Sequence, residues 1–239
     1  MTSIMLIPAR YTKKIVVPDD IIKRLPKRLM MFSSVQFLSQ LPSIEEQLKL
    51  KGKSIVMVKS KNFLYDGMTS ENGQLLGCNM ETFDSKNHGE EFDSFLYIGD
   101  GVFHPKALLV NNDKDIYCYD PKIDKLSVLK KELHDEIQKK NKGSIMKFLS
   151  SRHIGIIVTT KRGQNSSKRA EVLKKNIMEK WDDKEVFIFY CNELNFPELE
   201  NFNFVDVYVN SACSRIGHDD TTRSPKPIVN IADIERLLK

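Results

Sequence analysis

Across 239 residues there are four cysteines, one tryptophan, and no apolar run near the roughly 20 residues that a membrane-spanning helix requires. Cys78, Cys118, Cys191 and Cys213 lie far apart, and no two form a C-x-x-C pair. That spacing gives no support to a zinc ribbon, a thioredoxin-like redox site or the C-x3-C-x2-C loop of ordinary radical SAM enzymes. Any metal must therefore be held by cysteines that the fold brings together. Four scattered cysteines also make a disulfide scaffold a poor first expectation. The five histidines are isolated and do not suggest a histidine cage. Neither the G-x4-G-K-[ST] phosphate loop nor the G-x-G-x-x-G dinucleotide fingerprint occurs. The apolar stretch 3–8 is short and is followed at once by Arg10, unlike a secretory signal, so a cytoplasmic location is the default expectation.

What is present is ordinary globular material: 41% hydrophobic, 29% charged and 9% aromatic residues, with a net charge of +5. Over 122–147 lysines alternate with Asp124, Glu132, Asp135 and Glu136, which suits an exposed helix better than a phosphate-binding stripe, so no direct nucleic-acid partner is expected. Short apolar runs alternate with amphipathic segments, the pattern of βαβ units and a mainly parallel sheet. The fold class is α/β. Strands are predicted at 3–8, 28–33, 54–58, 94–98, 116–119, 155–159, 185–190 and 206–209. Helices are predicted at 35–51, 105–110, 126–149, 166–180 and 231–238, the last with Asn230 as N-cap.

One plan is used twice. In each half a strand leads into a helix, a lysine-bearing turn, a second strand, and then a strand introduced by Asp93 or Asp206 that ends in a loop of small residues. Two similar, small, three-layer parallel-sheet domains related by internal duplication are expected, at 1–120 and 121–239.

Two of the cysteines lie on turns or loops rather than in apolar runs. Cys78 follows Gly73-Gln74-Leu75-Leu76-Gly77, where glycine lets the backbone approach a bulky ligand; the alternative is a small apolar residue in a turn. Cys213 stands in Asn210-Ser211-Ala212-Cys213-Ser214-Arg215, directly after a predicted strand, where open α/β sheets bind ligands. Arg215 beside it would favour thiolate or pair with a carboxylate. Cys118 and Cys191 fall in or at the end of apolar strands and read as packing residues. The loops Gly99-Asp100-Gly101 with His104, and 159–164 ending in Gln164, also follow strands and could meet a polar ligand; ordinary strand-to-helix turns are the alternative.

Taken in order, these segments, with Tyr119-Asp120-Pro121 and Lys226-Pro227-Ile228-Val229-Asn230, resemble the diphthamide-synthase family, the 2-(3-amino-3-carboxypropyl)histidine synthases, which are noncanonical radical SAM enzymes. The resemblance implies three related α/β domains, each giving one cysteine to a 4Fe-4S cluster. S-adenosyl-L-methionine bound there is cleaved to a 3-amino-3-carboxypropyl radical that adds to a histidine of translation elongation factor 2. It makes Cys78 and Cys213 cluster ligands, and Gly99, Asp100, Gly101, His104, Gln164 and Arg215 the SAM-facing positions. The family's first domain, with its D-x-x-Y-G-A-C cysteine, has no counterpart in these residues, and Ser214 stands where the family usually has proline. The resemblance thus implies a partner chain supplying the third ligand, in a homo- or hetero-oligomer. The alternatives are recruitment of Cys118 or Cys191, a non-catalytic scaffold or electron-transfer partner of a complete synthase, and an unrelated SAM- or nucleotide-binding module.

Overall fold

A computed structural model describes residues 9–59, 71–78, 83, 89, 91–161 and 164–238. The predicted strand 3–8 and residues 162–163 of the second loop lie outside the described residues. The chain forms two compact units, Met1–Asp135 and Glu136–Lys239.

In the first unit α1 (Asp19–Arg24) precedes β1 (Arg28–Ser33), followed by α2 (Leu41–Leu50), β2 (Ser54–Val56), β3 (Ser94–Ile98), α3 (Phe103–Lys106), β4 (Ile116–Asp120) and β5 (Lys125–Leu129). The sheet order is β2-β1-β3-β4-β5, parallel except for the β4–β5 hairpin. Continuous apolar runs in β1 and β3 follow from burial of both faces. Leu29 and Met31 pack with Leu41, Ile44 and Leu48 on the inner stripe of α2. On the other face the rings of Phe32, Phe83, Phe92 and Phe95 contact one another.

In the second unit α4 (Glu132–Ser150), which begins in the first, leads to β6 (His153–Thr159), α5 (Ser167–Lys180), β7 (Glu185–Cys191), β8 (Val207–Asn210), α6 (Ile216–Asp219), β9 (Ile228–Asn230) and α7 (Ile231–Leu238). The all-parallel order is β7-β6-β8-β9. Phe148, Ala170, Leu173, Ile177 and Ile234 cover one face of this sheet.

Numbered within its own unit, each sheet runs second-first-third-fourth strand, so the duplicated plan is visible in topology. It is also visible in side chains. Asp93, just before β3, accepts the Arg28 N–H at 3.2 Å, and Asp206, just before β8, accepts the Arg152 and His153 N–H groups at 3.1 and 2.9 Å. Each carboxylate thus ties the start of the third strand to the first. The lysine ahead of the second strand acts in both units too. Lys53 donates to the Leu25 carbonyl beyond α1, and Lys184 to the Leu149 and Ser151 carbonyls at the end of α4, at 2.9 and 2.5 Å. These are the carbonyls that a helix end leaves without intrahelical donors.

Several predicted elements are corrected. The helix expected at 126–149 begins only at Glu132, and 125–129 is the antiparallel strand β5. Asp124, with φ 48°, closes the turn into it, and the alternation of Lys125-Leu126-Ser127-Val128-Leu129 is strand-like. The helix expected at 35–51 becomes regular only at Leu41, after a 3-10 turn at Leu38–Gln40, and 105–110 divides into α3 and the 3-10 turn Ala107–Val110. Asn230, expected as the N-cap of α7, is the residue immediately before that helix; it also ends β9, and its Oδ1 accepts from Asn210.

Candidate functional site

In the first unit the chain passes back over the end of β1 before reaching Cys78. The Ser33 N–H donates to the Gly73 carbonyl and the Leu75 N–H to the Ser33 carbonyl, both at 2.8 Å. Gly73, at φ 75°, takes the left-handed conformation there, where a β-carbon would also meet Leu41 at 2.6 Å. Gly77 then lies against the loop that follows β3. Its N–H donates to His104 Nδ1 at 2.9 Å, and a β-carbon on it would come within 2.6 Å of the Phe103 ring. A neutral imidazole accepting at Nδ1 carries its proton on Nε2. His104 is also stacked on Tyr97, ring centroids 6.3 Å apart. Cys78 is the next residue, half-buried.

The Gly99-Asp100-Gly101 loop stands over the same sheet end. A β-carbon at Gly99 would meet the Tyr97 hydroxyl at 2.7 Å. Burial drives the Tyr97 phenol above its ordinary range. Gly99, Gly101, Cys118, Asp120 and Lys125 line a cleft of about 130 Å³. Asp100 is half in solvent and ion-paired with Lys122 at 2.8 Å.

In the second unit Cys213 is half-buried on the loop leaving β8. Ser211 anchors that loop to β6, donating from both N–H and Oγ to the Ile157 carbonyl at 3.0 and 2.8 Å. Ser166, at the N-cap of α5, gives its hydroxyl to the Ser211 carbonyl at 2.8 Å rather than to its own helix. Asn210 Nδ2 donates to the Cys213 carbonyl at 2.9 Å and Asn230 Nδ2 to the Ser214 carbonyl at 2.9 Å. Arg215 is buried and ion-paired with Asp219 within α6's first turns. Burial holds the nearby His218 below the ordinary imidazole range, against the pull of Asp233 and Asp219. Gln164 donates its N–H to the Lys161 carbonyl at 3.1 Å in the loop before α5.

The other two cysteines differ in kind. Cys118 is buried in the middle of β4, with its thiol pushed up to about 12 by desolvation. Cys191 ends β7, its Sγ directed at the Val158 carbonyl at 3.7 Å, and burial raises its pKa. No disulfide joins the four among the described residues. Nor do the described residues gather three or more His, Cys, Asp or Glu side chains into a metal-binding group. Each unit thus carries one half-buried cysteine on a loop outside its strands, Cys78 in the first and Cys213 in the second. Sequence reasoning did not identify Ser166, Asn210 and Asn230 as the support of the Cys213 loop; a run of polar residues ending buried strands was the available signal.

A duplicated, mainly parallel α/β protein with a half-buried cysteine on a loop outside the strands of each unit is the class defined by these features. The sequence model of the diphthamide synthesis protein family matches residues 9–239, and the chain belongs to that family. It is similar to the 2-(3-amino-3-carboxypropyl)histidine synthase of Pyrococcus horikoshii, with 30% identity over 217 residues, covering 91% of this chain and 59% of the relative. Subunit 1 of the synthase from Caenorhabditis elegans is 30% identical over 207 residues, covering 85% and 48%. The crystal structure of Dph2 from Pyrococcus horikoshii with a 4Fe-4S cluster superposes with a TM-score of 0.69 at 28% identity, covering 91% of this chain and 58% of that one. The chain spans about half to three fifths of the length of these relatives.

Proposed function

We propose that this chain is the Cys78- and Cys213-bearing part of a 4Fe-4S, S-adenosyl-L-methionine-dependent transferase that places a 3-amino-3-carboxypropyl group on a histidine of translation elongation factor 2. A third cysteine comes from protein outside these 239 residues, in a homo- or hetero-oligomer. One observation carries the reading: in a family with a 4Fe-4S-bearing structure, Cys78 and Cys213 each lie half-buried on a loop outside the strands, whereas Cys118 is buried within β4 and Cys191, itself half-buried, is the last residue of β7. When bound, the cluster supplies one-electron chemistry at an iron that three thiolates leave open.

The chain's own part is binding and orientation. Cys78 and Cys213 hold iron. Gly99 and Gly101 let the backbone approach the substrate, and Asp100, His104 and Gln164 are the polar groups their respective loops offer to it. Arg215 steadies the turn after Cys213 through its ion pair with Asp219. No helix of the described residues is long and apolar enough to cross a membrane, and we place the reaction in the cytoplasm with the elongation factor.

The test is anaerobic reconstitution with iron, sulfide and the candidate partner chain, followed by mass spectrometry of elongation factor 2. Transfer is expected to require this chain and to vanish in Cys78→Ala and Cys213→Ala. Undiminished transfer in both variants would refute catalysis here and leave the scaffold or electron-transfer role.

A further inference from the structure

We propose that the buried Asn210–Asn230 pair positions Cys213 as a cluster ligand; the inference rests on the reading of Cys213 given above. The two asparagines are directly paired in register at the carboxyl ends of adjacent strands β8 and β9, and are 1% and 4% exposed. Aliphatic residues would fill such a place at no polar cost, whereas a buried carboxamide is unfavourable unless its hydrogen bonds are made. Here they are made to one loop. Asn210 Oδ1 accepts the Ala212 N–H at 3.1 Å. Its Nδ2 donates to the Cys213 carbonyl at 2.9 Å and to Asn230 Oδ1 at 2.7 Å. Asn230 Nδ2 continues the chain to the Ser214 carbonyl at 2.9 Å.

Backbone on both sides of the thiol is thereby fixed. The Cys213 carbonyl also accepts the Ile216 N–H at 3.0 Å, so both its lone pairs are engaged and its peptide plane is set. Gly217 completes the arrangement: a β-carbon there would overlap the Asn230 carboxamide, so the first turn of α6 rests directly on the pair. The asparagines are buried beneath the loop and have almost no surface to offer a ligand. They are positioning residues, acting through the loop.

Asn210→Asp keeps size and the acceptor for Ala212 but removes both donations; Asn230→Asp removes the donation to Ser214. The readouts are the iodoacetamide alkylation rate of Cys213 in the full apo chain, resolved by mass spectrometry, and the low-temperature EPR spectrum of the reconstituted, reduced protein. Loss of one such buried bond is expected to speed Cys213 alkylation about tenfold, leave Cys78 unchanged, and shift the EPR g values. Val229→Ala weakens the neighbouring core and is expected to change neither readout. Gly217→Ala, which presses on Asn230 from the other side, is expected to reproduce the Cys213 effect if the aspartate variants do not fold. Unchanged Cys213 alkylation and EPR in the aspartate variants, or an equal effect in Val229→Ala, would overturn the proposal. A wild-type chain that forms no cluster with its partner would refute the functional reading instead; the alkylation arm judges positioning by itself.

Discussion

The two units use one strand order and one device at the foot of the sheet, yet they present their cysteines differently. In the first unit Cys78 arrives on a segment that recrosses the end of β1 and is held from outside, by the His104 imidazole and the Phe103 ring against Gly77. In the second, Cys213 directly follows the third strand and is held from beneath, by two carboxamides at the ends of β8 and β9. Sheet ends conserve the scaffold, whereas the loops above them are supported by whatever side chain the local register delivers. An equivalent place in a repeat therefore does not imply an equivalent support.

The comparison can be broken most severely through the cores. Phe148→Ala removes a fully buried ring and is expected to cost about 3–5 kcal/mol. Chemical denaturation should show the second unit unfolding earlier, while hydrogen exchange in β1 and β3 stays slow; simultaneous loss of both would show the units to be a single cooperative body. Gly77→Ala is expected to cost about 1–2 kcal/mol, because its new methyl meets Phe103 at 2.6 Å and the His104 backbone at 3.1 Å. Adding Phe103→Ala should recover much of the loss, as judged by thermal melting, whereas Gly217→Ala should gain nothing from it.

Asp206→Asn should cost about 1 kcal/mol, discounted for a carboxylate that is 40% exposed. The His153 and Arg152 N–H groups, with the His153 charge, hold the Asp206 pKa below the ordinary value. Its contribution is therefore complete above the unfolded pKa of about 3.9 and is lost as pH falls through the lower folded value. Acid titration of stability should be flatter in Asp206→Asn. Cys118 gives the smallest effect and the opposite sign. With its thiol raised to about 12, its contribution is complete below the unfolded cysteine pKa of about 8.5 and is lost as pH rises from there towards 12. Cys118→Ala should flatten the alkaline limb, and alkylation at pH 9 should reach Cys118 last of the four cysteines.

The strands were legible where burial on both faces makes a continuous apolar run; β3, expected at 94–98, has those bounds. β5 was not, because a short half-exposed strand joined to a long helix by two lysines blends into the helical period. Helix α4 starts only where Asp115, from the far side of β4, accepts the Lys131 N–H at 2.9 Å, a contact absent from any local window. That Cys118 lies within a strand and Cys213 on the loop after one was readable from their neighbours. The supports of the Cys213 loop were not: Ser166 reaches Ser211 and Asn230 pairs with Asn210 only after parallel strands align, so the local sequence shows Asn230 only as the residue ahead of a helix. Long-range register, rather than residue type, carries that information.

The central claim, that Cys78 and Cys213 and not the strand cysteines hold iron, is tested most directly by EPR of the anaerobically reconstituted, reduced chain with its partner. A 4Fe-4S signal lost in Cys78→Ala and in Cys213→Ala but retained in Cys118→Ala and Cys191→Ala is the predicted result. A signal indifferent to Cys78 or Cys213, or dependent on Cys118, would contradict it.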